Sequence, residues 1–156
     1  MMASLIEQFI RRAEALGATV RLTSRAGTTD TIAPGSASTS AAGQWLAGSL
    51  RAKGEHPNVV AIGRLGVVET GSVLLVEPAA DRAACLLADH LWVILPASQL
   101  VLTLPDALAR AAALVTTEAR SLLFISGPSR TGDIERVLTI GVHGPAALTI
   151  LLVSDP

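Results

Sequence analysis

The chain has 156 residues, half of them hydrophobic and 16% charged, which suits one well-filled core and excludes wholesale disorder. Twelve basic and 13 acidic residues leave a formal charge of −1, and every base except Lys53 is arginine; with no basic run or face, a broad grip on nucleic acid is excluded. The lone cysteine, Cys85, excludes an internal disulfide, a cysteine-rich zinc site and a self-contained iron–sulfur cluster.

Ser4-Leu5-Ile6-Glu7 has capping-box spacing, and Leu5, Ile6, Phe9, Ile10, Ala13 and Leu16 recur on one helical face behind it. Gly17 closes that helix, because glycine enters the left-handed cap conformation without a Cβ penalty. Glu7, Arg11, Arg12 and Glu14 interrupt any leader-like apolar block, and runs such as Leu91 to Leu95 are too short to span a bilayer. A cytoplasmic chain without a membrane span is expected. Ala18 to Thr23 alternates as a strand does. Residues 24–40 are rich in Ser, Thr and Gly, and read as a flexible exposed loop. Ala42, Trp45, Leu46 and Leu50 suggest a second helix ending near Gly54, weakened by about 1 kcal/mol at each of Gly43 and Gly48.

From Asn58 the signal changes to short apolar or β-branched strands: Asn58 to Gly63, Val67 to Glu69, Ser72 to Val76, Leu91 to Leu95 and Gln99 to Leu102. Pro105 then opens a helix whose predicted buried face is Leu108, Ala111, Ala112 and Val115. Ser121 to Ser126 reads as a strand buried on both faces. A Gly-Pro turn leads to a predicted helix from about Thr131 to Ile140, a turn at Gly141 to Pro145, and a last strand from Leu148 to Val153. Strand, helix and strand make a βαβ unit with a right-handed crossover. The expected fold is a single α/β domain over residues 1–156, with a mixed, mostly parallel sheet and flanking helices.

Three segments have chemical potential. In Ser126-Gly127-Pro128-Ser129-Arg130-Thr131 a hydroxyl-rich turn feeds the predicted helix start, where free N–H groups and the helix dipole favour an anion and Arg130 offers a bidentate grip. The same residues also suit an ordinary strand-to-helix connection, with Ser129 or Thr131 as the cap. The turn is not a Walker loop, since the Gly-Lys-Ser/Thr ending is missing. His143, at the far end of the predicted helix, reads first as a dipole-stabilising residue. Neither His143 nor His90 has a partner at metal-ligand spacing, so no metal is expected. Glu69 lies at a bend where Gly71 permits positive φ. It is either a carboxylate held beside an apolar sheet, able to act as base, acid or nucleophile, or an outward-pointing turn residue.

Glu69 to Leu75, Asp89 to Ile94, Gln99 to Val101 and Ser126 to Pro145 occur in the order and spacing of the LUD domain family. The stretch SGPSRTGDIERVLTIGVHGP resembles that family's C-terminal signature, and the resemblance runs from about Val59 to Val153. It implies a fold related to ribose-5-phosphate isomerase, glucosamine-phosphate isomerase and the CoA-transferases. It also implies a small bacterial subunit of a system that oxidises L-lactate to pyruvate, beside partner subunits carrying iron–sulfur clusters. A chain with one cysteine fits a subunit that binds no cofactor alone. By analogy within the superfamily, Glu69 and the Ser126–Thr131 turn line one pocket for a small carboxylate or phosphate.

Residues and resemblance together select Glu69, Thr70 and His90 for catalysis. Gly71, Ser126, Gly127, Ser129, Arg130, Thr131 and His143 are selected for ligand binding. Two other readings stay open: a stand-alone isomerase or CoA-transferase-like enzyme using Glu69 on a small anion, and a regulatory or scaffold module. An apolar helix stripe leaves room for a homo-oligomer.

Overall fold

The computed structural model describes residues 2–24, 37–38, 58–77, 79–118, 121–132, 138–140 and 144–154. Most of the predicted loop, the predicted second helix and His143 lie outside them. Helix α1 (Met2–Ala15) buries Phe9 and Ala13, with Leu5 and Ile6 packed beside them, as the apolar periodicity requires. Its start differs from expectation: Ser4 sits inside the helix, where its Oγ accepts from Gln8 Nε2 at 3.1 Å. Its end is a Schellman motif, in which Gly17 N–H donates to Glu14 O and Ala18 N–H to Ala13 O, with Gly17 at φ +89°.

The strands are β1 (Thr19–Ser24), β2 (Ala37–Ser38), β3 (Asn58–Val67), β4 (Ser72–Glu77), β5 (His90–Pro96), β6 (Leu100–Val101), β7 (Ser121–Ile125), β8 (Arg130–Gly132), β9 (Leu138–Ile140) and β10 (Ala147–Ser154). Helix α2 spans Ala79–Leu86 and helix α3 Leu104–Glu118. The main sheet runs β1-β10-β5-β3-β4-β7, with β2 and β6 also paired to β3. Among the described residues of this sheet, β3–β4 and β4–β7 are antiparallel and the other pairs parallel; β8 and β9 form a separate two-stranded sheet. The mixed, mostly parallel α/β sheet is therefore present.

Several local expectations are corrected. Asn58 to Gly63 and Val67 to Glu69 are not separate strands: β3 runs unbroken from Asn58 to Val67, with a register shift between Gly63 and Leu65. Gly63 and Gly66 are packing positions instead of turns. A Cβ at Gly63 would lie 2.9 Å from Val73 Cγ1, and one at Gly66 would lie 2.7 Å from methyls of Leu95 and Leu100. Helix α2 has no counterpart in the predicted elements. On α3 the buried side is Ala107 and Ala111 with Leu104 and Leu114 alongside, while Leu108 is 50% exposed. The face is rotated from the predicted one.

The largest correction concerns residues after Gly127. Arg130 pairs with Ile140, Thr131 with Thr139 and Gly132 with Leu138 in an antiparallel ladder, so the described ends of the predicted helix from Thr131 to Ile140 are strands. The β-branched Thr131, Thr139 and Ile140 favour this extended pairing. The βαβ unit goes with it, because β7 lies antiparallel to β4 and β10 sits between β1 and β5.

One face of the sheet packs Val59, Ala61, Leu91, Val93, Ile150 and Leu152 against Phe9 and Ala13 of α1. A second cluster, around Leu65, Val67, Leu74 and Val76, packs under α3. Val60, Trp92 and Leu151 form a third, on the face turned away from α1 by the alternation of side chains. Among the described residues, no helix is long and apolar enough to cross a membrane.

Candidate functional site

Two turns meet at the C-terminal half of α1. The first follows β3, where Gly71 N–H donates to Val67 O at 2.8 Å and Gly71 has φ +66°. A Cβ on Gly71 would lie 2.6 Å from Ala13 N and 2.7 Å from Arg12 C, so the turn lies directly on the helix backbone. The second turn leaves β7, and a side chain on Gly127 (φ +79°) would strike Leu16. Ser72 Oγ and Ser126 Oγ share a 2.6 Å hydrogen bond between the two turns.

Beyond Gly127, Ser129 N–H donates to Pro145 O at 2.8 Å, which engages one amide expected to be free for an anion. The Arg130 guanidinium lies over the bare backbone of Gly17, beside Pro128. Ser126 and Arg130 are exposed, and Ser129 is half-buried. Thr131 is placed by its backbone within β8. Arg130 to Gly132 lie in β8 and not at a helix start, so the helix N-terminus expected at Thr131 does not support anion binding there.

Glu69 is exposed, not held against the apolar sheet. Its Oε2 accepts from Leu104 N–H at 3.0 Å, which places the carboxylate at the positive end of α3. The other free donors of that helix start are also satisfied. Pro105 has none; Asp106 N–H donates to Thr103 Oγ1 at 3.3 Å, and Ala107 N–H donates to Thr103 O at 3.2 Å. The Thr103 hydroxyl in turn donates to Asp106 Oδ2 at 2.6 Å. Thr70, beside Glu69, has a buried Oγ1 with no hydrogen-bond partner.

Glu69 opens on a cleft of about 490 Å³ lined by Gln8, Arg11, Arg12, Ala15, Val68 and Leu102. None of Ser126 to Arg130 lines it, so the expectation of one pocket shared by Glu69 and that turn is corrected: the turns are neighbours, but only one of them lines this cleft. Gln8, Arg11, Arg12 and Ala15 follow i, i+3, i+4, i+7 spacing, the signal that would have marked them as one helix face. Two guanidinium groups beside one carboxylate can hold a small carboxylate while Glu69 accepts a hydrogen bond from its hydroxyl.

His90 belongs elsewhere. Its Nε2 is 2.8 Å from Thr149 Oγ1, and its ring stacks on Trp92 with centroids 4.5 Å apart. Burial, and secondarily the Arg21 charge, lower its pKa from 6.5. Its register partners place it on the face turned away from α1, apart from Glu69. Trp92 Nε1 is buried there without a hydrogen-bond partner. Among the described residues, no three His, Cys, Asp or Glu side chains gather as a metal site. Cys85 is fully buried in the core, and one thiol does not fit the ligand set of an iron–sulfur cluster.

Residues 49–153 match the LUD domain. Lactate utilization protein C of Shouchella clausii is 38% identical over 93 residues, covering 57% of this chain and 40% of that protein. The protein of the same name from Bacillus subtilis is 32% identical over 108 residues, covering 66% and 45%. This chain thus spans less than half the length of these curated relatives. A crystal structure of a DUF162 family protein from Deinococcus radiodurans superposes with TM-score 0.70 at 21% identity, covering 98% of each chain; it shares the fold.

Proposed function

Since the chain belongs to the LUD domain family and is a distant homologue of lactate utilization protein C, we propose that it serves lactate utilization as a non-redox cytoplasmic subunit. It binds a small carboxylate and works with iron–sulfur partner subunits in converting L-lactate to pyruvate. The observation that supports this reading at the site is the cleft that sets Glu69 beside Arg11 and Arg12. An α-hydroxy carboxylate fits this pairing: the guanidinium groups take its carboxylate and Glu69 accepts its hydroxyl proton. The oxidation releases two electrons and two protons. The partners' iron–sulfur clusters would supply the acceptor for the two electrons, and this chain would supply binding and, at Glu69, an acceptor for the hydroxyl proton. The Ser72–Ser126 bond and the Gly71 N–H to Val67 O bond hold the turn that presents Glu69. Gly127 and Arg130 pack on Leu16 and Gly17, just past the end of α1, and Ser129 N–H donates to Pro145 O.

The test is lactate-dependent pyruvate formation by iron–sulfur partner subunits, with and without this chain, comparing wild type, Glu69→Gln and Arg12→Gln at matched folding. Activity that needs the chain and falls in both variants supports the site. Activity that needs the chain but ignores both substitutions makes it an assembly subunit and overturns the site. No dependence on the chain overturns the lactate reading.

A further inference from the structure

A row of leucines crosses the sheet under α1 and ends in water. Leu95 of β5 is the register partner of Leu152 of β10, and Leu152 is that of Leu22 of β1. Leu95 and Leu152 are fully buried in the core, whereas Leu22 is 59% exposed. Register partners on neighbouring strands share a face, so Leu22 lies on the α1 side, like Val20, which packs beside the same core. We propose that the edge of β1 docks antiparallel on the β1 edge of a second copy of this chain, with Leu22 set against the partner's Leu22 across a twofold axis. This interface does not rest on the role proposed for Glu69.

The first support is the open edge. Among the described residues, β1 is the end strand of the sheet and its ladder partner is β10. An edge strand turns alternate N–H and C=O groups outward, ready for another strand. The usual guards are missing: Thr19–Ser24 contains no proline, its register with β10 runs without a bulge, and its one charge is Arg21. The opposite end of the sheet differs. Leu122 and Phe124 of β7 pack on the cluster under α3, and Leu123 packs on the cluster under α1. On β1, by contrast, Thr19, Arg21, Leu22 and Ser24 are all exposed.

The second support is charge, which selects both the occupant and the register. A twofold axis normal to the sheet keeps both α1 helices on one side, and two registers then leave most of the strand paired. Centred on Arg21, the two guanidinium groups oppose each other directly, which is destabilising. Centred on Leu22, leucine meets leucine, each Arg21 faces a threonine (the partner's Thr23), and each Val20 faces the partner's Ser24. The Arg21 side chains point to the other face, beside Leu151. In this register the leucine row runs from one core into the next, and the exposed apolar residue of the edge is covered by its own equivalent. The pair uses up both β1 edges, so assembly through this strand stops at two.

Contact along one strand edge is a small interface, and the dimer should dissociate with a Kd of about 1–100 µM. The test is sedimentation velocity of the full chain at concentrations spanning that range. The mass should rise from 16.0 kDa towards twice that value. Leu22→Arg places like charges on the axis and should raise Kd at least about tenfold, with the urea midpoint unchanged because Leu22 is exposed. Cross-linking by oxidised glutathione reads the register. Directly opposed residues hold their Cβ atoms about 4.5–5.5 Å apart, close enough for a disulfide after slight adjustment. The Leu22→Cys variant should therefore give a covalent dimer and the Arg21→Cys variant should not, with wild type as the blank because Cys85 is fully buried. Three outcomes overturn the proposal: a 16.0 kDa species throughout, a dimer that Leu22→Arg leaves intact, or cross-linking of Arg21→Cys as readily as Leu22→Cys.

Discussion

Ser72 Oγ and Ser126 Oγ meet at 2.6 Å across 54 positions of sequence, and the two ends of the bond are not equivalent. Ser72 is 4% exposed, whereas Ser126 is open to water. Ser126→Ala strands a buried hydroxyl and should cost about 1–3 kcal/mol, while Ser72→Ala leaves a hydroxyl that water can satisfy and should cost about 1 kcal/mol. Urea denaturation of both single variants and the double variant gives the coupling directly. Equal costs for the two single variants would contradict the assignment.

The left-handed glycines should differ in their tolerance of alanine. Both Gly71→Ala and Gly17→Ala incur a cost of about 1 kcal/mol for positive φ. At Gly71 the new Cβ also meets the backbone of Arg12 and Ala13, which cannot move without displacing α1. At Gly17 it meets the tip of the Arg130 side chain, which can swing away. Gly71→Ala should therefore be the more destabilising by at least about 1 kcal/mol, read as a lower urea midpoint.

The start of α3 separates a structural from a chemical role for Glu69. Thr103→Ala removes the hydroxyl acceptor for Asp106 N–H and should lower stability by about 0.5–2 kcal/mol. Glu69→Gln keeps an acceptor for Leu104 N–H and should change the midpoint less than Glu69→Ala does. If Glu69→Gln abolishes lactate-dependent activity while its midpoint stays near wild type, the carboxylate's charge is used in chemistry and not only in capping.

His90 predicts a pH dependence. Burial, with a smaller contribution from Arg21, lowers its folded-state pKa from 6.5, so the unfolded chain binds the proton more readily. The contribution of neutral His90 to stability is therefore full above pH 6.5 and is lost as the pH falls from there through the lowered folded-state value. His90→Gln should flatten the decline in urea midpoint between about pH 7 and pH 5. An unchanged slope would show that other groups set the acid sensitivity.

Much of the architecture was legible from local patterns. The apolar spacing of α1, the Gly17 stop, the runs that became β4, β5, β7 and β10, and Pro105 at the head of α3 all follow from periodicity and turn chemistry, which short segments carry by themselves. The motif order also identified the LUD domain. What local patterns misjudged depended on neighbours distant in sequence. Gly63 and Gly66 read as breaks in a strand, yet they are small because Val73, Leu95 and Leu100 crowd them. Residues from Thr131 looked helical until Thr139 and Ile140 became available as ladder partners.

The candidate site divides in the same way. The sequence by itself determined which residues have chemical capacity: Glu69 at a glycine-bearing bend, hydroxyls and Arg130 after β7, and a histidine before an apolar strand. Only the tertiary structure decided their company. Packing of α1 across the sheet set Arg11 and Arg12 beside Glu69, laid Arg130 on Gly17, and left His90 with Thr149 and Trp92 on the opposite face. A side chain's ionisable group is fixed by its residue type, but its field, its solvent and its partners come from whichever strands and helices the core brings together.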